Sequence, residues 1–179
     1  MDILVDNKKI EFTDNDFPVL ISGTEKKGVS FFSVCLMANL LNNGKKILFF
    51  SAYPSAKEEL RKQIKTEDGA IIIDSGEEQD FINTIKNTSD LNERIVLIKN
   101  FDIYSRKLFE IVKELKLVIF AGNIDNCQFF NEIVNKDFNA KIFFSQPEKY
   151  PQEGLDDLPK YHGRIFSQDK NGIIKLDVK

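Results

Sequence analysis

Gly23-Thr24-Glu25-Lys26-Lys27-Gly28-Val29-Ser30 is the stretch of this chain whose residue types and spacing fit a definite chemistry. The apolar run Val19–Ser22 leads into it and the longer apolar run Val29–Leu41 follows it. A strand that passes through a glycine-bounded loop into a helix lets backbone N–H groups wrap a phosphate at the helix N-terminus. The full phosphate-loop pattern is G-x-x-x-x-G-K-[ST]. Both glycines and Ser30 are in register, but Val29 stands where the lysine belongs. Valine brings no cation to phosphate oxygens, which is the main electrostatic task of that position. Lys26 and Lys27 are the loop cations that could curl back to substitute. Neither directly follows the first glycine, where Thr24 stands.

Other reactive side chains are few. His162 is the single histidine, which excludes multi-histidine metal sites, and it reads as a solvated loop residue. Cys35 and Cys127 have neither CxxC spacing nor a nearby histidine, so they read as buried thiols. Net charge is -3 and the two signs are mixed along the chain, which disfavours a nucleic-acid or membrane-surface footprint.

The elements that must position the loop follow from the pattern of apolar runs. From Pro18 onward short apolar runs alternate with longer amphipathic ones, as parallel strands joined by crossover helices do. The spacing predicts strands at Val19–Ser22, Lys46–Ser51, Ala70–Asp74, Arg94–Lys99, Leu117–Ala121 and Lys141–Ser145. Helices are expected at Val29–Leu41, Ser55–Ile64, Glu77–Lys86, Tyr104–Leu115 and Gln128–Val134. Asn42-Asn43-Gly44 closes the first helix, and Ser55 with Glu58 reads as a capping box for the second. The first helix is apolar nearly all round and must be covered on several sides. Ile3–Val5 with Ile10–Phe12 predicts an N-terminal hairpin around Asp6-Asn7-Lys8, and Arg164–Ser167 with Ile173–Val178 a closing hairpin turning near Asn171-Gly172. The chain of 179 residues is expected to form one domain, with a hairpin over 1–17, an α/β core over 18–150 and a hairpin over 160–179. No apolar stretch reaches membrane-span length and no export signal is visible, so a cytoplasmic protein is expected.

Lys46-Ile47-Leu48-Phe49-Phe50-Ser51-Ala52-Tyr53-Pro54-Ser55 resembles RecA-like ATPases of the replicative-helicase and KaiC type, where a hydrophobic strand ends in Ser and a catalytic acid before a helix. Arg94–Asp102 resembles the family's Walker B strand, Lys113–Asn123 its next helix and sensing strand, and Gly163–Val178 its terminal hairpin. The resemblance spans roughly Pro18 to the C-terminus and implies a three-layer, mainly parallel sheet with helices on both faces. It also implies lost chemistry. The position of the water-activating glutamate is Tyr53, a poor general base. The strand that should end in a magnesium-associated aspartate ends in Lys99, with Asp102 three residues on as a weak substitute. Where the family has a polar glutamine after the sensing strand, this chain has Gly122 or Asn123, of which Asn123 can still donate or accept a hydrogen bond.

The expected function is therefore that of a non-catalytic RecA-like module, a pseudo-ATPase needing no cofactor and acting through a protein partner. The partner would be a related ATPase or helicase assembly, in DNA replication or recombination, or a second copy of the chain. By analogy with ring ATPases Arg164 on the closing hairpin would reach a neighbour's site, although a plain surface charge fits it as well. The alternative is an ATP-binding enzyme that uses Lys26 or Lys27 with Ser30, Asp102 and Asp74, taking ATP or ADP with magnesium. Single-stranded nucleic-acid binding is disfavoured, because pairs such as Phe31-Phe32, Phe49-Phe50 and Phe143-Phe144 fall in expected core elements.

Overall fold

Six central strands carry the fold because their side chains are apolar on both faces, the signature of a sheet covered twice. The computed structural model describes residues 3–6, 8–156 and 158–176. Its strands are β1 (Ile3–Val5), β2 (Lys8–Ile10), β3 (Val19–Ser22), β4 (Lys46–Ser51), β5 (Ala70–Ile72), β6 (Arg94–Lys99), β7 (Val118–Gly122), β8 (Ala140–Phe143), β9 (His162–Ser167) and β10 (Gly172–Lys175). The helices are α1 (Val29–Asn42), α2 (Pro54–Gln63), α3 (Glu78–Asn87), α4 (Arg106–Val112) and α5 (Phe130–Val134). All ten strands join one sheet in the order β2-β1-β10-β9-β8-β3-β7-β6-β4-β5. The run β8-β3-β7-β6-β4-β5 is parallel, and the terminal hairpins extend it antiparallel from β8.

Strict alternation sorts the side chains onto two cores. Val19, Ile21, Ile47, Phe49, Ile95, Leu97, Ile119 and Ala121 face α1 and α2. Leu20, Leu48, Phe50, Val96, Ile98, Val118 and Phe120 face α3, α4 and α5. The protein is therefore an α/β fold in three layers, helices on both faces of a mainly parallel sheet, as expected. Most of α1 is buried, and Ile3, Val5 and Ile174 of the terminal strands, with Leu176 just beyond them, belong to the same core. This explains its nearly uniform apolarity. The paired phenylalanines lie in the two cores, and only Phe31 keeps partial exposure.

Some boundaries move. Helix α2 starts at Pro54 with Tyr53 as an uncapped N-cap, so Ser55 is inside the helix and not its cap. Proline suits the first helical position, where its missing N–H has no partner to lose. Helix α4 is shorter than Tyr104–Leu115 because Phe101–Ile103 forms a 3-10 turn and Ser105 caps the helix, accepting from Leu108 N at 3.4 Å. Strand β7 ends at Gly122, one residue later than expected, and Gly172 belongs to β10 and not to the preceding turn. His162 opens β9, half-buried, and is not a loop residue. Asn7 of the first turn and 177–178 of the closing strand lie outside the described residues. Among the described residues no helix is long and apolar enough to cross a membrane.

Candidate functional site

Parallel register lines up the carboxyl ends of β3, β7, β6 and β4. Ser22 is opposite Gly122, Ala121 opposite Lys99, and Lys99 opposite Ser51. Open α/β sheets bind ligands at this edge. The small residues Ala121 and Gly122 end the strand between the Gly23–Ser30 loop and Lys99, and a cleft of about 540 Å³ opens there.

The loop is pinned at its start. Gly23 N donates to Gly122 O at 3.3 Å, Thr24 N donates to Ser145 Oγ at 2.9 Å, and Ser22 Oγ accepts from Ile124 N at 3.0 Å. At its end Gly28 adopts φ 129°, and a Cβ there would come within 2.8 Å of Leu176 Cδ1 and 3.1 Å of the Phe144 ring, so only glycine fits. Gly28 is also the N-cap of α1 and has no side chain to offer. Its carbonyl accepts from Phe32 N at 2.8 Å, the first bond of the helix. Val29, Ser30 and Phe31 have no carbonyl inside the helix to donate to, and the first turn carries no acidic residue. All three line the cleft. An uncapped helix terminus thus faces it, with the partial positive charge such an end carries.

Lys99 is the charged side chain on the cleft floor. It sits on the α1 side of the sheet, is 4% exposed, and lines the cleft. Its Nζ donates to Asn100 Oδ1 at 3.1 Å and lies 5.7 Å from the Tyr53 ring centroid, a cation–π distance. It forms no ion pair among the described residues. Burial pulls its pKa down to about 8, opposed by the charge of Asp102. The ammonium form still dominates at neutral pH.

Asp102 stands on the 3-10 turn after β6 and lines the same cleft. Its Oδ1 accepts from Asn123 N at 3.1 Å, and a Cβ on Gly122 would come within 2.1 Å of it. Burial raises its pKa, the Asn123 N–H and Lys99 lower it, and the Glu25 carboxylate raises it further. The carboxyl is tied to backbone beside the cleft floor.

The remaining expected site residues separate into those the fold gathers and those it does not. Tyr53 and Asn123 line the cleft together with Gly23, Thr24, Glu25, Lys26, Gly28, Val29 and Ser30. Tyr53 is 51% exposed at the rim. The Asn123 side chain accepts from Asp125 N at 3.1 Å, capping the next turn. Lys26, at φ 63°, lines the cleft, whereas Lys27 lines a different groove with Ser145, Gln146 and Asp156. Asp74 pairs with Arg61 at 2.9 Å and does not line the cleft. Arg164 is held by its own chain: its Nη1 donates to Gly154 O at 3.2 Å and its guanidinium lies 5.4 Å from the Phe166 ring centroid. Burial raises the Cys35 thiol to about 11 and the Cys127 thiol to about 12, as expected of inert core cysteines.

Asn100, Ile103, Asn126 and Tyr161 also line the cleft and were not expected. Asn100 carried a local signal, because asparagine tolerates the left-handed conformation that it adopts at φ 65°. Ile103, 51% exposed, and Tyr161 carried none, since only the fold brings them to the rim.

The donor set discriminates between the two ligands a phosphate-loop site would take. Free N–H groups at a helix start and a buried ammonium fit phosphate oxygens. A divalent cation fits poorly beside Lys99, and no three His, Cys, Asp or Glu residues are grouped to hold one among the described residues. No protein-family model matches the chain, and no curated protein matches it in sequence.

Proposed function

We propose that this chain is a non-hydrolysing RecA-like module of the cytoplasm that works by docking onto a protein partner, either a related ATPase or a second copy of itself. The observation that carries the reading is convergence. Val29, Lys99 and Tyr53, the residues at the expected lysine, metal-acid and water-activating positions, line one cleft. Residues that were aligned separately on three elements meeting at one place supports the resemblance that paired them. With valine, lysine and a half-exposed phenol in those roles, the three positions lack the groups that would position metal and activate water. The topology supports the same reading, since β7 lies between the loop strand β3 and the Lys99 strand β6. Tyr53 and Ile103 are both half exposed at the mouth, giving a partner an apolar surface beside the cleft.

The alternative, an ATP-using enzyme with a rearranged loop, is supported by Lys26, which lines the cleft together with Glu25 and Asp102. Phosphate release from magnesium-ATP separates the two. The expected result is no release above buffer from wild-type protein. Release that disappears in Lys26→Ala would establish the enzyme and overturn the non-hydrolysing module.

A further inference from the structure

We propose that the cleft binds the phosphates of a nucleotide-sized ligand without a divalent cation, the Lys99 ammonium taking the place of the metal. This rests on reading the cleft as a phosphate site that does not turn over.

Three independent features lead to it. The start of the 14-residue helix α1 has neither a side-chain cap nor an acid in its first turn, so its N–H groups are left for an external acceptor. Lys99 is a charge 4% exposed that forms no ion pair among the described residues; its hydrogen-bond acceptor is the neighbouring Asn100 amide, and the Asp102 charge offsets only part of the cost of its burial. Between them lies a cleft of about 540 Å³, wide enough for a nucleotide because the intervening strand ends in Ala121-Gly122. A phosphate bridging the two would satisfy the helix start and supply the missing counter-charge together. Asp102 lines the same cleft but forms no ion pair with Lys99 among the described residues, its Oδ1 accepting from Asn123 N at 3.1 Å.

Without the anion, burial holds Lys99 near a pKa of about 8, so it loses its proton just above neutrality. The other titratable groups lining the cleft are Glu25, Lys26, Tyr53, Asp102 and Tyr161. Only Asp102 among them acts on Lys99 strongly enough to count beside burial, and it favours the charged form. Binding of an anion therefore requires proton uptake at higher pH.

The test is calorimetric titration of the full chain with ADP, ATP and pyrophosphate, once in EDTA and once in excess magnesium, with phosphate release followed in parallel. The expected result is binding in EDTA, unimproved by magnesium, and at least tenfold weaker in Lys99→Met. Binding that needs magnesium, equal affinity in Lys99→Met, or no binding at millimolar ligand would each overturn the inference. Phosphate release would instead overturn the proposed function, so the two failures are distinct. Should Lys99→Met not fold, the wild type decides alone. Its ADP affinity in EDTA is expected to fall about tenfold per unit above pH ~8, the slope of one proton taken up. A flat profile to pH ~9.5 would overturn the inference.

Discussion

Asp16 and Lys99 are both buried charges, 5% and 4% exposed, at opposite ends of the parallel sheet. Asp16, just before β3, is fully served by its own chain. Its Oδ2 accepts from Thr13 N at 2.6 Å and Thr13 Oγ1 at 3.0 Å, and its Oδ1 pairs with Lys170 at 2.5 Å. Lys99, at the carboxyl edge, has one amide oxygen and a distant aromatic face. A buried charge that the chain satisfies ties elements together, here the first strand of the core to the closing hairpin. A buried charge that the chain leaves unpaired is a cost, and its place beside an uncapped helix start suggests what relieves it.

Removing the satisfied charge should have the largest effect. Asp16→Asn leaves Lys170 without its counter-ion and is expected to destabilise the fold by about 3 kcal/mol, the lower end for breaking a buried pair. That corresponds to a melting temperature lower by on the order of 10 °C. An unchanged melting temperature would mean that the hairpin is not anchored there.

Removing the unsatisfied charge should work in the opposite direction. Lys99 has its pKa lowered from 10.5 to about 8, so it binds fewer protons folded than unfolded between those values. Its burial penalty is therefore present in full below pH 8 and disappears as pH rises to about 10.5. Lys99→Met is expected to stabilise the ligand-free protein by roughly 3 kcal/mol at pH 7, with less gain at pH ~9.5. Denaturant unfolding at the two pH values measures both.

Gly122→Ala sharpens the contrast within the cleft, because the added methyl would meet Asp102 Oδ1 at 2.1 Å. A loss of about 2 kcal/mol is expected from this overpacking, with Asp102 displaced toward the cleft. Chemical denaturation reads the loss. The smallest effect concerns the two helix starts. Ser105 caps α4 away from the cleft, so Ser105→Ala should cost about 1 kcal/mol and leave ligand affinity unchanged. A change in affinity would show that the helix ends are coupled.

The chain itself announced much of this architecture. Strands β4 and β6 have the limits expected from their apolar runs, and α1 begins at Val29, where the glycine loop ends. Those runs are apolar on both faces, so burial leaves little choice of element. Loop residues were legible for the same reason, since Gly28 bounds a strand-to-helix turn. What local pattern could not reveal depended on distant partners. The Asp16–Lys170 pair joins residues 154 positions apart. The division between Lys26 and Lys27 follows from backbone geometry in the loop, where Lys26 takes φ 63°. The burial of Lys99 follows from strand register, which sets it opposite Ser51 and Ala121 beneath α1. Lysine is ordinarily read as solvent-facing, and only the assembled sheet makes it a floor.

Thermal unfolding of wild type and Lys99→Met at pH 7 in EDTA, each with and without millimolar ADP, shows whether Lys99 holds the phosphate ligand. The variant is expected to melt higher than wild type without ligand, and ADP to raise the wild-type midpoint by clearly more than the variant's. A variant that melts lower than wild type and is stabilised by ADP as much as wild type is the contradicting result, for Lys99 would then be a satisfied structural lysine with no part in holding the ligand.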